Sequence, residues 1–155
     1  ESWNGASWTA GTAINSARNS LAGGGTQTAA FIAGGNTAAP AVSNGAEVWN
    51  GSTWTAVATL NTARSALGGS GDSSAALVFG GNAPGPTNAT EYYNGSTWAE
   101  IANMGDGRRS LAGGGAAATE GVACGGDLYP ASPANSNAAE KWSGDAYTLK
   151  TVTVS

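Results

Sequence analysis

The chain of 155 residues has a formal net charge of −4 and a sequence pI near 4.5. Nucleic acids bind proteins through basic surfaces that contact the phosphates, and this chain has only six Lys and Arg residues. We therefore expect no nucleic-acid partner. The lack of His excludes Ser-His-Asp and Cys-His nucleophiles and histidine metal sites, and no apolar window is long enough to predict membrane insertion.

The chain opens with a short motif, Glu1–Trp8, that recurs along the sequence. Further copies are Glu47–Trp54 and Glu91–Trp98, and a weaker one is Glu140–Tyr147. A period of about 45 residues is typical of a propeller or a solenoid. In the motif, Asn-Gly lies between aromatic residues that favour strands. Each copy therefore predicts a strand, a tight type I′ turn and a second strand.

Two further strands are predicted between one hairpin and the next. The first starts at an arginine that closes a segment such as Leu60–Arg64, and a Gly-rich turn follows it. The second is a short apolar run that ends in Gly-Gly, which is typical of a buried strand. One such run contains the single cysteine, Cys124, for which we expect a buried, unreactive thiol. Each period thus holds strands a, b, c and d, with c and d forming the hairpin.

The loops between strands b and c differ from one repeat to the next. They cover residues 36–46, 82–90 and 127–139 and contain all five prolines. Since variable insertions in repeat proteins gather on one face, often the binding face, these loops form the candidate binding surface. The alternative is that the loops vary because nothing constrains them. The candidate binding residues are Asn36, Pro40, Asn82, Pro84, Pro86, Asp127, Leu128, Tyr129 and Pro130.

The charged and aromatic repeat positions have predicted structural roles. A charged side chain at a fixed place in a sheet needs a partner, so we expect each repeated Arg to pair with a repeated Glu or with backbone carbonyls, either within a blade or across to its neighbour. We expect the aromatic rings to pack between adjacent sheets, with a carbohydrate-stacking platform as the alternative. The structural residues are Arg18, Arg64, Arg108, Glu47, Glu91, Glu140, Trp49, Trp54, Trp98 and Trp142, together with Tyr93.

The combined pattern resembles the kelch repeat, whose family forms β-propellers of four-stranded blades, as in the galactose oxidase-like fold. The pattern comprises a Gly-Gly that closes strand b, an aromatic residue in strand c, a Trp that opens strand d, and the following arginine. The resemblance implies an all-β, kelch-like propeller segment: a half blade at 1–13 and blades at 14–59, 60–103 and 104–155. We expect this array to be the C-terminal part of a longer chain, with other blades or chains completing the propeller.

The phrase Glu1–Trp8, together with Leu60–Arg64, also resembles the kelch-like repeats in virion structural proteins of marine bacteriophages. This resemblance implies a non-catalytic structural and binding module in a fibre, appendage or decoration protein, contacting a host glycan or surface protein. We accordingly expect a virion location and no metal or cofactor. The alternative is an extracellular kelch-type lectin, or an oxidase-like enzyme domain whose active residues lie in upstream blades.

Overall fold

A computed structural model of the chain describes residues 1–38, 41–128, 135–144 and 150–152. The regular elements in these ranges are all β-strands, and they form four antiparallel sheets. The predicted all-β class is therefore confirmed. Within the same ranges, no helix is long and apolar enough to cross a membrane.

The strands follow one another as simple meanders. The N-terminal sheet pairs β1 (Ser2–Trp3) with β2 (Trp8–Thr9). Sheet 1 contains β3 (Ala22–Gly25), β4 (Ala30–Ala33), β5 (Ala46–Trp49) and β6 (Trp54–Ala56). Sheet 2 contains β7 (Gly68–Gly71), β8 (Ala76–Phe79), β9 (Thr90–Tyr93) and β10 (Trp98–Ile101). Sheet 3 contains β11 (Ala112–Gly114), β12 (Val122–Cys124), β13 (Ala139–Lys141) and β14 (Lys150–Val152).

The first strand of each four-stranded sheet differs from the prediction. The Gly-rich segments, expected to be turns, are the strands β3, β7 and β11, and each begins four residues after the repeated arginine. The physical reason is the close approach of these strands between sheets. A Cβ on Gly24 would lie 2.9 Å from the Gly71 carbonyl oxygen, and a Cβ on Gly113 would lie 2.5 Å from the Gly69 nitrogen. Only glycine allows backbones to come so close.

The Asn-Gly hairpins also differ from the predicted type I′ turns. Trp49 pairs with Trp54 in the ladder, so the loop between them has four residues rather than two. Gly51 has a φ of 94°, but Asn50 is not among the residues with positive φ. Instead, the Asn50 side-chain oxygen accepts hydrogen bonds from the Ser52 and Thr53 N–H groups, each at 2.9 Å. The asparagine therefore acts through its side chain, as in an Asx turn.

Backbone hydrogen bonds tie each four-stranded sheet to the next. The Ala66 N–H donates to the Ser20 carbonyl at 2.7 Å, and the Ser110 N–H donates to the Ala66 carbonyl at 2.8 Å. All three residues have φ between 52° and 55°, a backbone conformation that residues other than glycine seldom adopt. The same strained position therefore recurs before the first strand of each four-stranded sheet and takes part in the hydrogen bonds between sheets.

The core divides into two apolar clusters that lie on opposite faces of sheet 2. Val78 and Tyr93 face sheet 1, where Phe31 and Leu60 join them. Leu77 and Phe79 face sheet 3, where Met104, Leu111 and Trp142 complete the second cluster. Because successive side chains of a strand point to opposite faces, β8 supplies both clusters and is buried throughout.

Cys124 is exposed, so the prediction of a buried thiol is wrong. It occupies the same position before Gly-Gly as Phe79, which is 3% exposed in sheet 2. The difference arises because sheet 3 covers that face of sheet 2, whereas no described element covers the corresponding face of sheet 3. Val122, two residues earlier on the same face, is 38% exposed.

Candidate functional site

Each repeated arginine is buried and bound to a repeated glutamate, as the sequence predicts, and the structure shows that this glutamate belongs to the same sheet. Arg64 is 0% exposed, and its Nη2 lies 2.8 Å from Oε1 of Glu91 on β9. Its Nη1 donates to the carbonyl oxygens of Ala89 at 2.7 Å and Gly80 at 3.2 Å. The guanidinium therefore joins the ends of the second and third strands. The corresponding pairs in sheets 1 and 3 are Arg18–Glu47 and Arg108–Glu140.

The second oxygen of each carboxylate binds the segment that leads into the sheet. Oε2 of Glu91 accepts hydrogen bonds from the backbone N–H of Asn61 at 2.7 Å and from its side-chain amide at 2.9 Å. Asn15 binds Glu47 in the same way. In sheet 3 the backbone N–H of Gly105 alone fills this role, at 2.7 Å from Glu140. The Asn three residues before Arg18 and before Arg64 was the sequence signal for this contact, which the sequence analysis missed.

Burial and pairing act in opposite directions on these charges. Burial raises the pKa of Glu47, but the hydrogen bonds from Asn15 and the Arg18 guanidinium outweigh it and lower the pKa below its ordinary value. For Arg64, burial is the larger effect and lowers the pKa, against the opposing charge of Glu91. Each of the three carboxylates Glu47, Glu91 and Glu140 is thus held by an arginine of its own sheet.

The predicted binding loops are rooted by their first residue. Asn36 exchanges two backbone hydrogen bonds with Asn19, at 2.8 and 2.9 Å, and Asn82 and Ser65 form the equivalent pair in sheet 2. In sheet 3 the pair is Asp127 with Arg109, which adds an ion pair of 2.8 Å between partly exposed side chains. The first residue of each loop therefore anchors it, and the residues that follow form the variable surface.

The other predicted loop residues lie on that variable surface or outside the described part of the chain. Pro84 is exposed and follows a cis peptide bond, whereas Pro86 and Leu128 are half-buried. Pro40, Tyr129 and Pro130 lie outside the described residues.

The predicted aromatic residues of sheets 1 and 2 form pairs across their hairpins. Tyr93 and Trp98, with ring centroids 5.1 Å apart, are 3% and 7% exposed and pack against sheet 1. Burial raises the pKa of the Tyr93 hydroxyl. The Trp49–Trp54 pair is similar, at 5.4 Å, but only half-buried. Packing between sheets therefore holds for Tyr93, Trp98 and Trp142, whereas the pair in sheet 1 borders open space.

That open space is a groove of about 810 Å³ between the N-terminal sheet and sheet 1. Four tryptophans line it: Trp3, Trp8, Trp49 and Trp54. Two hydrogen bonds bridge it, one from the Gln27 side chain to the Trp3 carbonyl and one from the Thr12 hydroxyl to the Ser52 carbonyl at 2.9 Å. The N-terminal sheet on one side of the groove has two described strands, whereas sheet 1 on the other side has four.

A scan against protein-family models and a search of curated proteins found no match to this chain. Among the described residues, no group of three or more His, Cys, Asp and Glu side chains could hold a metal ion. The features available for a functional interpretation are therefore the rooted loops, the aromatic groove and the two outer sheet faces.

Proposed function

We propose that the chain is a non-catalytic binding and structural module, built as a segment of a kelch-like β-propeller in which each four-stranded sheet is a blade. Support comes from the meander order of the sheets and from the repeated contacts between their first strands. Other blades of the same protein, or other chains, complete the ring.

The main support for a binding role is that the b–c loops have the same paired base in each sheet but differ in the residues beyond it. Each base is fixed by the same two-residue pairing, Asn19–Asn36, Ser65–Asn82 or Arg109–Asp127. Beyond it, the loops differ in length and in proline content. A rigid scaffold that presents variable loops on one face is the usual basis of recognition by repeat proteins.

In this proposal the module belongs to a bacteriophage virion, as part of a fibre, an appendage or a decoration protein. The loop face contacts a glycan or a protein on the host surface. This placement rests on the resemblance of the repeat phrase to virion structural proteins.

Binding to intact bacterial cells tests the loop face. The fluorescently labelled chain is mixed with a panel of marine bacteria, and retention on the cells is compared with that of a loop variant in which a short Gly-Ser linker replaces residues 129–134. The variant keeps Asp127, so the base of the loop stays paired with Arg109. We expect the variant to lose retention while its circular dichroism spectrum stays that of the parent chain.

A variant of the opposite face serves as the control. Ser52→Ala and Ser96→Ala alter exposed hairpin positions that bind the Asn50 and Asn94 side chains through their backbone N–H groups, which the substitutions leave in place. We expect this variant to bind cells like the parent chain. Loss of binding with the hairpin variant and full binding with the loop variant would place recognition on the other face.

Mass spectrometry of purified virions tests the location. Peptides of this chain should be enriched in virions over the lysate of infected cells. Peptides recovered only from the cell fraction would contradict a virion location.

A further inference from the structure

The Asn-Gly pairs of the chain lie in two different structural settings. Asn4-Gly5, Asn50-Gly51 and Asn94-Gly95 lie in the c–d hairpins, whereas Asn44-Gly45 lies in the loop before β5. An asparagine followed by glycine can react with its own main chain, because glycine has no side chain to keep its amide nitrogen away from the asparagine side chain. The hydrogen bonds around each pair therefore decide whether that reaction proceeds.

In the hairpins, two backbone N–H groups hold the side-chain carbonyl of the asparagine. Oδ1 of Asn50 accepts hydrogen bonds from Ser52 and Thr53, each at 2.9 Å. The equivalent N–H groups lie 3.0 and 2.9 Å from Oδ1 of Asn94, and 2.9 and 2.8 Å from Oδ1 of Asn4. Two donors aimed at one carbonyl oxygen stabilise the negative charge that develops there when a nucleophile adds to the carbon.

The attacking and leaving groups are unhindered in the hairpins of sheets 1 and 2. Asn50 and Gly51 are exposed, as are Asn94 and Gly95. Among the described residues, neither glycine N–H donates a hydrogen bond, and the side-chain NH2 groups of these two asparagines donate none either. The glycine nitrogen is thus available to attack, and the side-chain nitrogen is available to leave.

Asn44-Gly45 has the same sequence but the opposite setting. The Gly45 N–H donates to the Ser43 hydroxyl at 2.9 Å, and the Asn44 side-chain NH2 donates to the Leu60 carbonyl at 3.3 Å. The Gly45 carbonyl accepts a hydrogen bond from the Arg18 guanidinium at 2.8 Å. In the described part of the chain, no N–H group donates to the side-chain oxygen of Asn44. The attacking nitrogen and the leaving nitrogen are therefore both bound, and the carbonyl between them is not activated.

We propose that Asn4, Asn50 and Asn94 are sites at which the chain modifies itself by forming a cyclic imide, and that Asn44 is protected. The Gly51 nitrogen gives its proton to hydroxide and attacks Cγ of Asn50. The bond between Cγ and the side-chain nitrogen then breaks, and this nitrogen takes a proton from water and leaves as ammonia. Water hydrolyses the imide, and its addition at Cγ gives aspartate, whereas its addition at the backbone carbonyl gives isoaspartate.

The two products have different effects on the hairpin. An aspartate at position 50 keeps the acceptor oxygen for the two N–H groups and adds a negative charge to this end of the sheet. An isoaspartate adds a carbon atom to the main chain between Trp49 and Trp54, which pair in the ladder. We therefore expect the aspartate form to keep the hairpin and the isoaspartate form to disrupt it.

Peptide mass spectrometry of the folded chain, incubated at mildly alkaline pH, tests the proposal. We expect the mass gain of amide to acid at Asn4, Asn50 and Asn94 to appear about tenfold or more faster than at Asn44. This factor is smaller than the hundredfold or more that one such donor contributes in a buried active site, because the hairpins are exposed to water. Equal rates at the four sites, or a faster reaction at Asn44, would overturn the proposal.

The same incubation in guanidinium chloride separates the effect of the fold from that of the sequence. Unfolding removes the hydrogen bonds, and every one of these asparagines is followed by glycine, so the four rates should converge. A difference that persisted in the unfolded chain would arise from neighbouring residues and would contradict a role for the hairpin geometry.

Asn50→Asp serves as the matched standard for the aspartate product. We expect its peptide to elute with one of the two product peptides of the parent chain and its circular dichroism spectrum to equal that of the parent chain. The inference does not depend on the proposed function, because the hairpins lie at the opposite end of the strands from the b–c loops. A chain that reacts as expected but binds no cells would leave this inference standing and overturn only the binding role.

Discussion

At the residue scale, the repeated ion pair is the feature on which each sheet depends most. Arg64 and Glu91 are 0% and 1% exposed, so neither charge has water as an alternative partner. Together they join the third strand, the end of the second strand and the segment that enters the sheet. Removing one charge therefore leaves the other buried without its partner, which costs more than the pair itself contributes.

We expect Arg64→Met to lower the free energy of unfolding by about 3–5 kcal/mol, because Glu91 is then a buried, unpaired charge. Denaturation in urea, followed by circular dichroism, measures the change. Arg109→Met is the control. Its ion pair with Asp127 is 31% and 27% exposed, so we expect a loss of only about 0–1 kcal/mol. Similar losses for the two variants would show that burial does not set the value of these pairs.

The lowered pKa of Glu47 predicts how stability depends on pH. A carboxyl group whose pKa is lower in the folded state stabilises the fold above its unfolded pKa, about 4.3, and this stabilisation is lost as the pH falls through the folded value. The difference in unfolding free energy between the parent chain and Glu47→Gln should therefore be largest near neutral pH and shrink below about pH 4. Urea midpoints measured across this range test it. A constant difference would contradict the assignment.

At the element scale, the first strands decide how closely the sheets pack. A Cβ on Gly113 would lie 2.5 Å from the backbone nitrogen of Gly69, and the backbone cannot move aside as a flexible side chain can. The neighbouring Gly114 on the same strand faces open space. These two glycines thus offer a matched comparison within β11.

We expect Gly113→Ala to destabilise the chain by about 1–3 kcal/mol, because the sheets must separate to admit the methyl group. Gly114→Ala should be neutral, or stabilising by up to about 1 kcal/mol, because alanine restricts the unfolded chain. Thermal unfolding of the two variants compares them under one condition. The prediction fails if Gly114→Ala is the more harmful change.

At the scale of the whole molecule, stability should follow the position of each sheet in the array. Sheet 2 is covered on both faces, and β8 is buried along its whole length. The described N-terminal sheet has two short strands, and the residues of both are exposed. In a linear array each unit is stabilised mainly by its neighbours, so the outer units open first.

Hydrogen exchange followed by mass spectrometry tests this gradient in dilute protein. We expect peptides from β8 and β9 to exchange most slowly and peptides from β1 and β2 to exchange fastest. Equal protection of all sheets would indicate one cooperative unit rather than an array.

The sequence by itself determined the number and order of strands in each repeat and the need of each repeated Arg for a repeated Glu or for backbone carbonyls as partners. Each repeat contains the same types of residue at the same positions, so the strand-forming aromatics, the Gly-Gly pairs and the charged residues recur at a regular spacing in the sequence. A charge in a sheet needs a partner, so the pattern predicted a repeated Glu or backbone carbonyls beside each Arg, and the structure decided that Arg64 binds both Glu91 and carbonyls of its own sheet.

Only the tertiary structure decided the roles of Gly24, Asn50 and Cys124. Gly24 lies in a strand because a neighbouring sheet approaches within the space of a methyl group, and a local pattern cannot reveal a neighbour distant in sequence. Asn50 could form a turn through a positive φ or through hydrogen bonds of its side chain. The pairing of Trp49 with Trp54 leaves a four-residue loop, in which the Asn50 side chain accepts the hydrogen bonds. Cys124 is exposed because no described element covers the outer face of sheet 3, although its local sequence matches strands that are buried. Burial depends on what packs against a face, and in an array of similar sheets that is set by position.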